Sequence, residues 1–145
     1  MKLSLQDYMS IKIHKTDLYL YSFIKSKLET FNLASEQNLI MMLLWEKDGL
    51  TQNQLGEKLN KDKTNIARMA SNLESKGFIK RTCGKGDRRV LELHLTPCGK
   101  ELGKKVIPIT EEFNDIVCKG ISEEDLLNFE RILSKINSNV QKFCE

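Results

Sequence analysis

A cluster of basic side chains in the middle of the chain is the feature best suited to bind an anionic partner. Between Lys61 and Arg89, nine basic residues stand against three acidic ones, which is a net charge of +6. From Glu111 to Glu145 the balance reverses to −4. Because the whole chain carries only +3, the distribution of charge, and not its total, indicates an anion-binding region.

Four side chains in this cluster have the types and spacing of a helix that contacts bases in a major groove. They fall on the first turn and a half of a predicted helix: Lys63, Thr64, Asn65 and Arg68. An asparagine can bond adenine at two points, an arginine or lysine can contact guanine or phosphate, and a threonine can offer its hydroxyl or a methyl contact. A solvated face of any short helix carries such residues too, so this group gains meaning only from its neighbours.

A second basic group lies at the tip of a predicted hairpin. The flexible connection runs from about Cys83 to Arg88, and the basic residues at the tip are Lys85, Arg88 and Arg89. Arginine is favoured in a narrow minor groove by the negative potential there. Asp87 would repel phosphate, so we expect it to pair with a nearby arginine and hold the tip in shape. The flanking cations expected to contact phosphate are Lys61, Lys80 and Arg81.

The elements that position these groups are mostly helical. Helices are predicted at about Leu5 to Phe31, Ser35 to Asp48, Thr51 to Leu59, Lys63 to Lys76, Thr96 to Cys118 and Ser122 to Phe143. Ser35, Thr51 and Ser122 are the expected N-caps, and Gly77 is the expected stop of the fourth helix. Two short helices with a tight connection, the third and the fourth, form a helix-turn-helix pattern.

Beyond Gly77 the hydrophobic period changes to two. Leu91, Leu93 and Leu95 alternate with polar residues, and Phe78 to Thr82 is a short β-compatible run. These segments predict the two strands of a hairpin, which after a helix-turn-helix is a wing. In the last helix six apolar residues recur at steps of three and four, and this seam packs either within the chain or against a partner subunit: Leu126, Phe129, Leu133, Ile136, Val140 and Phe143.

Five stretches between Leu33 and Leu102 occur together in a recognisable order. They are LTQNQL at 50–55, DKTNIAR at 62–68, LESKGFI at 73–79, DRR at 87–89 and LTPCGK at 95–100. Their combination resembles the MarR family of winged helix-turn-helix transcription regulators. The resemblance implies a mostly α fold with a small β-hairpin wing in a single domain. Residues 33–96 would form the DNA-binding lobe, and residues 1–32 and 97–145 the dimerisation helices.

The resemblance also implies a function. Members of the family are homodimers that place one recognition helix per subunit in a major groove and the wing in the adjacent minor groove, with Arg89 at the position that enters it. We therefore expect a sequence-specific regulator that binds double-stranded DNA, a homodimeric repressor released from a pseudo-palindromic operator by a small ligand or another signal. The alternative, from a different class, is a protein-interaction module whose basic winged lobe binds an acidic protein surface.

Family ligands bind between the dimer helices and the DNA-binding lobe. Residues of this chain that can line such an apolar cavity are Tyr8, Met9, His14, Tyr19, Met41, Met42 and Trp45. Met and aromatic residues at helical spacing equally form plain core. The small-molecule effector is therefore an open expectation.

The cysteines suggest a redox switch as a further alternative. Cys83 lies at the base of the basic tip, where neighbouring cations favour a thiolate. Thiol sensors of the family commonly carry the reactive cysteine in the first helix, where this chain has none, and Cys118 and Cys144 are expected to be small apolar residues or exposed thiols without function. No CxxC spacing is present, which favours free thiols in a reducing cytoplasm.

Several other classes are excluded by the sequence. The 145 residues, 40% of them hydrophobic, match one globular domain. No apolar run reaches the roughly 18 residues of a membrane span, and Asp7 interrupts any secretory apolar core. The two histidines lack metal-ligand spacing, and no nucleophile elbow, Walker loop or dinucleotide-binding turn occurs. We expect a cytoplasmic protein that is not an enzyme and needs no metal or cofactor.

Overall fold

The computed structural model describes residues 4–144 as six α-helices, two short 3-10 helices (Leu5–Asp7 and Glu29–Phe31) and one hairpin. The predicted regions 1–32 and 97–145 include residues 1–3 and 145, which lie outside the described residues. The helices are α1 (Met9–Leu28), α2 (Ser35–Glu46), α3 (Gln52–Leu59), α4 (Lys63–Ser75), α5 (Pro97–Cys118) and α6 (Glu123–Gln141), and the strands are β1 (Ile79–Gly84) and β2 (Asp87–Leu95). This order confirms the predicted mostly helical, winged helix-turn-helix fold.

The chain forms two compact units. One lies within Met1–Ile109 and the other within Thr110–Glu145. Helix α5 continues through Pro108, close to the boundary between them. Along the part of the chain that is described, no helix combines the length and apolar character needed to cross a membrane.

The core of the first unit is built from one face of each helix in it. Leu28 of α1, Leu44 of α2, Leu55 of α3 and Leu73 of α4 have no solvent exposure, and Leu93 of β2 is equally buried. In α4 the buried residues Ile66, Met69, Ala70 and Leu73 recur at helical steps, as the hydrophobic period predicted. Burial of this common face holds α3, α4 and the hairpin to one another.

Side-chain caps fix the starts of α3, α5 and α6. Thr51 Oγ1 accepts from the Gln54 backbone N–H, and Gln54 Oε1 accepts from the Thr51 N–H, so the predicted capping box is present. Thr96 Oγ1 accepts from the Gly99 N–H ahead of Pro97, and Ser122 Oγ accepts from the Asp125 N–H.

The start of α2 differs from the prediction. Its N-cap is Ala34, and Ser35 is the first helical residue. Gln37 Oε1 accepts from the Ala34 N–H at 3.4 Å, so the amide that lies three residues after the cap satisfies that donor. The hydroxyl oxygen of Ser35 is buried without a hydrogen-bond partner among the described residues.

The hairpin turn is much shorter than the predicted connection from Cys83 to Arg88. Lys85 and Gly86 alone separate the strands, and Gly86 adopts a φ of 90° that favours glycine. The register shifts next to this turn, because Cys83 pairs with Leu91 whereas Gly84 pairs with Asp87. Residues 88–90 therefore form a bulge on β2. A sequence pattern of period two does not reveal such a bulge, since the extra residues interrupt the alternation.

Candidate nucleic-acid interface

Helix α4 presents one buried face and one polar face. Ile66, Met69, Ala70 and Leu73 are buried. On the opposite side Thr64, Arg68 and Ser71 are exposed at steps of four and three. Ser71 was not among the predicted site residues. It lies three residues after Arg68, and this spacing places both residues on the same face of a helix.

The start of α4 is organised by a chain of hydrogen bonds. Asp62 is the N-cap, and its Oδ1 accepts from the Asn65 backbone N–H at 2.7 Å. Its other oxygen accepts from Asn65 Nδ2 at 3.3 Å. Asn65 Oδ1 in turn accepts from Arg68 Nη2 at 2.8 Å. The carboxylate is thus linked to the guanidinium through one amide.

An ion pair joins α4 to the hairpin. Glu74 Oε2 accepts from the Arg81 backbone N–H at 2.8 Å, and Glu74 Oε1 lies 3.3 Å from Arg81 Nη2. The hydrogen bond from this backbone N–H, supported by the guanidinium, lowers the pKa of Glu74 below its ordinary value. Arg81 Nη1 also reaches Gln52 Oε1 of α3 at 3.5 Å. Arg81 therefore ties both helices of the helix-turn-helix to β1.

Backbone bonds join the hairpin to the loop that precedes α3. The Gly49 N–H donates to the Leu93 carbonyl at 3.0 Å, and the Leu93 N–H donates to the Leu50 carbonyl at 2.9 Å. Asp48 Oδ1 accepts from the Leu95 N–H at 2.8 Å. Strand β2 is consequently held on the side away from β1 as well.

The tip of the hairpin carries the bulged arginines. Arg88 and Arg89 are both exposed, and the side chain of Arg89 is 91% exposed. Asp87 Oδ1 accepts from the Arg89 N–H at 2.9 Å and lies 3.3 Å from its Nε. The exposed Lys85 occupies the turn itself. Asp87 thus holds the base of the Arg89 side chain while the rest of the guanidinium faces solvent.

The three flanking cations have different surroundings. Lys80 is exposed on β1. Lys61 Nζ lies 3.3 Å from Glu36 Oε1 and its side chain is only 24% exposed, and Arg81 is engaged by Glu74 as described. Lys61 and Arg81 therefore have structural partners that the local sequence did not show, because those partners lie 25 and 7 residues away.

Comparisons with known proteins agree with this architecture. The MarR family model matches residues 33–91, which spans α2, α3, α4 and most of the hairpin. A Bacillus subtilis protein named organic hydroperoxide resistance transcriptional regulator is 33% identical over 85 residues, 59% of this chain and 58% of that one. The winged helix-turn-helix segment of this chain is therefore similar to MarR family regulators.

Solved structures extend the likeness to most of the chain. The S. aureus MepR–DNA complex is 26% identical with a TM-score of 0.84, covering 91% of this chain and 98% of that one. A MarR family regulator from Listeria monocytogenes complexed with 26mer DNA is 27% identical with a TM-score of 0.80, covering 97% of this chain and 90% of that one. In both comparisons the match includes helices outside the winged lobe.

The residues expected to line an effector cavity differ in their exposure to solvent. Met41 is fully buried in the core, because it shares the inward face of α2 with Leu44. Tyr8, Met9, Tyr19 and Met42 are exposed, as is His14. Trp45 donates its indole N–H to the Gly99 carbonyl at 3.0 Å and lines a cavity of about 410 Å³ together with Lys100 and Ile107.

The four cysteines are all free thiols. Cys83, Cys98 and Cys144 are exposed and Cys118 is half-buried. Cys83 lies on β1 opposite Leu91 and not in the turn. Across residues 4–144, His, Cys, Asp and Glu form no group of three that could hold a metal ion.

Proposed function

We propose that this chain is a transcription regulator that binds double-stranded DNA sequence-specifically as a homodimer. The observation that carries the proposal is the link between two exposed basic surfaces. The polar face of α4 and the arginine tip belong to elements that Glu74 and Arg81 join directly. Such a link suits a surface that must engage two adjacent grooves at once.

The proposed contacts divide into base recognition and phosphate binding. Helix α4 enters the major groove with Lys63, Thr64 and Arg68 forward, and Arg88 and Arg89 of the bulge approach the minor groove. Lys80 and Lys85 are exposed and supply phosphate contacts. Lys61 and Arg81 are already paired with the carboxylates of Glu36 and Glu74. We therefore propose that they contribute less to phosphate binding than Lys80 and Lys85 do.

The proposed dimer uses apolar surface that each unit leaves exposed. Tyr8, Met9 and Tyr19 of the α1 region are exposed, and so are Phe129 and Val140 of α6. Exposed apolar side chains concentrated on helices mark association surfaces. In this proposal 33–96 is the DNA-binding lobe of a single functional domain, and the described parts of 1–32 and 97–145 dimerise. A two-fold protein recognises a pseudo-palindromic operator.

Repression and release by a small effector complete the proposal. A dimer that covers a promoter excludes other proteins from it, which makes repression the simplest outcome of binding. An effector that binds the free form more tightly than the DNA-bound form would release the operator by population shift. The chain has no proposed catalytic role.

Selection of bound duplexes from a random DNA library tests the proposal. We expect a pseudo-palindromic sequence, bound with an affinity that falls linearly with the logarithm of salt concentration. A duplex library that yields no preferred sequence would contradict sequence-specific binding. Absence of any duplex affinity at low salt would favour the protein-interaction alternative. The redox alternative would be favoured if peroxide treatment releases the DNA from the unmodified protein but not from the Cys83→Ser variant.

A further inference from the structure

The amide of Asn65 lies between two charged side chains that fix its orientation. A carboxylate only accepts hydrogen bonds and a guanidinium only donates them. The Nδ2 of Asn65 therefore faces Asp62 at 3.3 Å, and its Oδ1 faces Arg68 Nη2 at 2.8 Å. Both bonds involve an ionised partner, and such bonds are stronger than those between neutral groups.

Arg68 and Asn65 also differ in solvent exposure, and this difference favours Arg68 as the residue that contacts a base. Arg68 is exposed on the polar face of α4, whereas Asn65 is half-buried at the flank of that face. A direct two-point bond from Asn65 to adenine would have to compete with both charged partners. A contact from Arg68 needs no such exchange, because only one of its nitrogens is bonded to Asn65.

We propose that Asn65 is a positioning residue that holds Arg68 for a guanine, and that Asn65 does not itself contact a base. This inference rests on the proposed function. Arginine bonds the O6 and N7 atoms of guanine through two parallel donors, which requires a defined guanidinium plane. The bond to Asn65 orders the long Arg68 side chain before DNA arrives, so less rotamer entropy is lost on binding.

Asp62 has a second role in the same chain. Both of its oxygens are occupied by Asn65, so the carboxylate anchors the amide in addition to capping α4. A residue that keeps the cap but offers one oxygen would release the amide. Asp62→Ser is such a variant, because serine is a good N-cap.

Substitution of single atoms in the selected operator tests the inference. The probes are duplexes in which one guanine at a time is replaced by 7-deazaguanine, which lacks the N7 acceptor. We expect the unmodified protein to lose roughly tenfold in affinity at one guanine of each half-site. Arg68→Ala should abolish this loss, and Asn65→Ala and Asp62→Ser should each reduce it at that same guanine.

A double variant and a matched pair complete the experiment. If Asn65 acts through Arg68, then Asn65→Ala combined with Arg68→Ala binds like Arg68→Ala alone. Asn128 and Arg131 of α6 have the same spacing and the same 2.8 Å bond, so Asn128→Ala is the control and should leave the 7-deazaguanine effect unchanged. Circular dichroism melts confirm that each variant is folded.

Two outcomes separate the inference from the proposed function. If the unmodified protein selects an operator but Asn65→Ala relaxes the preference at an adenine·thymine pair and keeps the guanine effect, the positioning role is overturned while the function stands. A guanine effect that survives Arg68→Ala would overturn it equally. If no operator is selected at all, the proposed function fails first.

Discussion

Glu74 of α4 bonds both the backbone N–H and the guanidinium of Arg81 in β1, at 2.8 and 3.3 Å. The two contacts join the end of the proposed recognition helix to the first strand of the wing. Because Arg81 also reaches Gln52 of α3, one carboxylate contributes to the relative placement of three elements.

Removal of this carboxylate should destabilise the fold. We expect Glu74→Ala to lower the free energy of unfolding by about 1 kcal/mol, since it removes hydrogen bonds that solvent partly screens. Urea denaturation measures the change. Glu101→Ala is the matched control, because Glu101 pairs with Lys104 at 2.9 Å in a fully solvated setting, and it should leave stability unchanged. Equal effects of the two variants would contradict the structural role of Glu74.

The same carboxylate should make stability depend on pH. Since bonding to Arg81 lowers the pKa of Glu74 below 4.5, its contribution is complete above the unfolded-state pKa. It is lost as the pH falls through the lower folded-state pKa. The stability difference between the unmodified protein and Glu74→Gln should therefore shrink in acid, and side-chain carbon NMR should report the lowered pKa directly. A difference that grows on acidification would reverse the sign and refute the assignment.

Arg89, the exposed arginine of the wing, should contribute equally to the binding of any DNA sequence. We expect Arg89→Ala to weaken binding to all duplexes alike and to reduce the slope of affinity against salt by about 1, because the minor groove loses one cation that neutralises DNA charge. Fluorescence anisotropy at several salt concentrations measures both quantities. Arg131→Ala removes an arginine from α6 and should leave the slope unaltered. An Arg89→Ala slope equal to that of the unmodified protein would exclude the residue from the interface.

Gly99 is required by close packing at the start of α5. A Cβ at this position would collide with the Phe78 carbonyl oxygen, and the Gly99 carbonyl also accepts the Trp45 indole N–H. Gly99→Ala should cost about 1 to 3 kcal/mol, as overpacking usually does. Trp45 is the single tryptophan, so its fluorescence follows unfolding and reports the changed environment. Lys100→Ala, at an exposed neighbouring position, should have little effect on stability.

Association should depend on the exposed apolar residues of α6. Phe129 is 54% exposed in the single chain, and Phe129→Glu places a charge on the proposed dimer surface. Sedimentation velocity should then show monomer at concentrations where the unmodified protein is dimeric. Ser134→Glu, on the same helix but outside the apolar seam, should leave the dimer intact. A dimer that survives Phe129→Glu would remove this residue from the interface.

The seam of α6 illustrates how far hydrophobic spacing reaches. Leu126, Leu133 and Ile136 are half-buried, whereas Phe129, Val140 and Phe143 are exposed. The sequence predicted which residues share the seam, because their positions follow from helical geometry. It left open whether the seam packs within the chain or against a partner subunit. In the single chain, the seam is only partly buried.

Interactions between residues that are close in sequence allowed much of the fold to be predicted from the sequence alone. The capping box of Thr51 and Gln54, the left-handed stop at Gly77 and the alternation of Leu91, Leu93 and Leu95 each depend on residues within a few positions of one another. Such interactions set helix starts, helix stops and strand faces without reference to the rest of the fold. The order of the helices and strands, and the place of the basic groups along that order, were predicted from these local interactions.

Only the tertiary structure decided which polar side chains are already engaged and how the hairpin turns. Lys61 bonds Glu36, Arg81 bonds Glu74, and the register shift at Cys83 places Arg88 and Arg89 in a bulge. These outcomes depend on packing between separate elements, which brings together groups distant in sequence. A pattern of residue types records what each side chain can bond, whereas the folded chain determines which partner lies within reach.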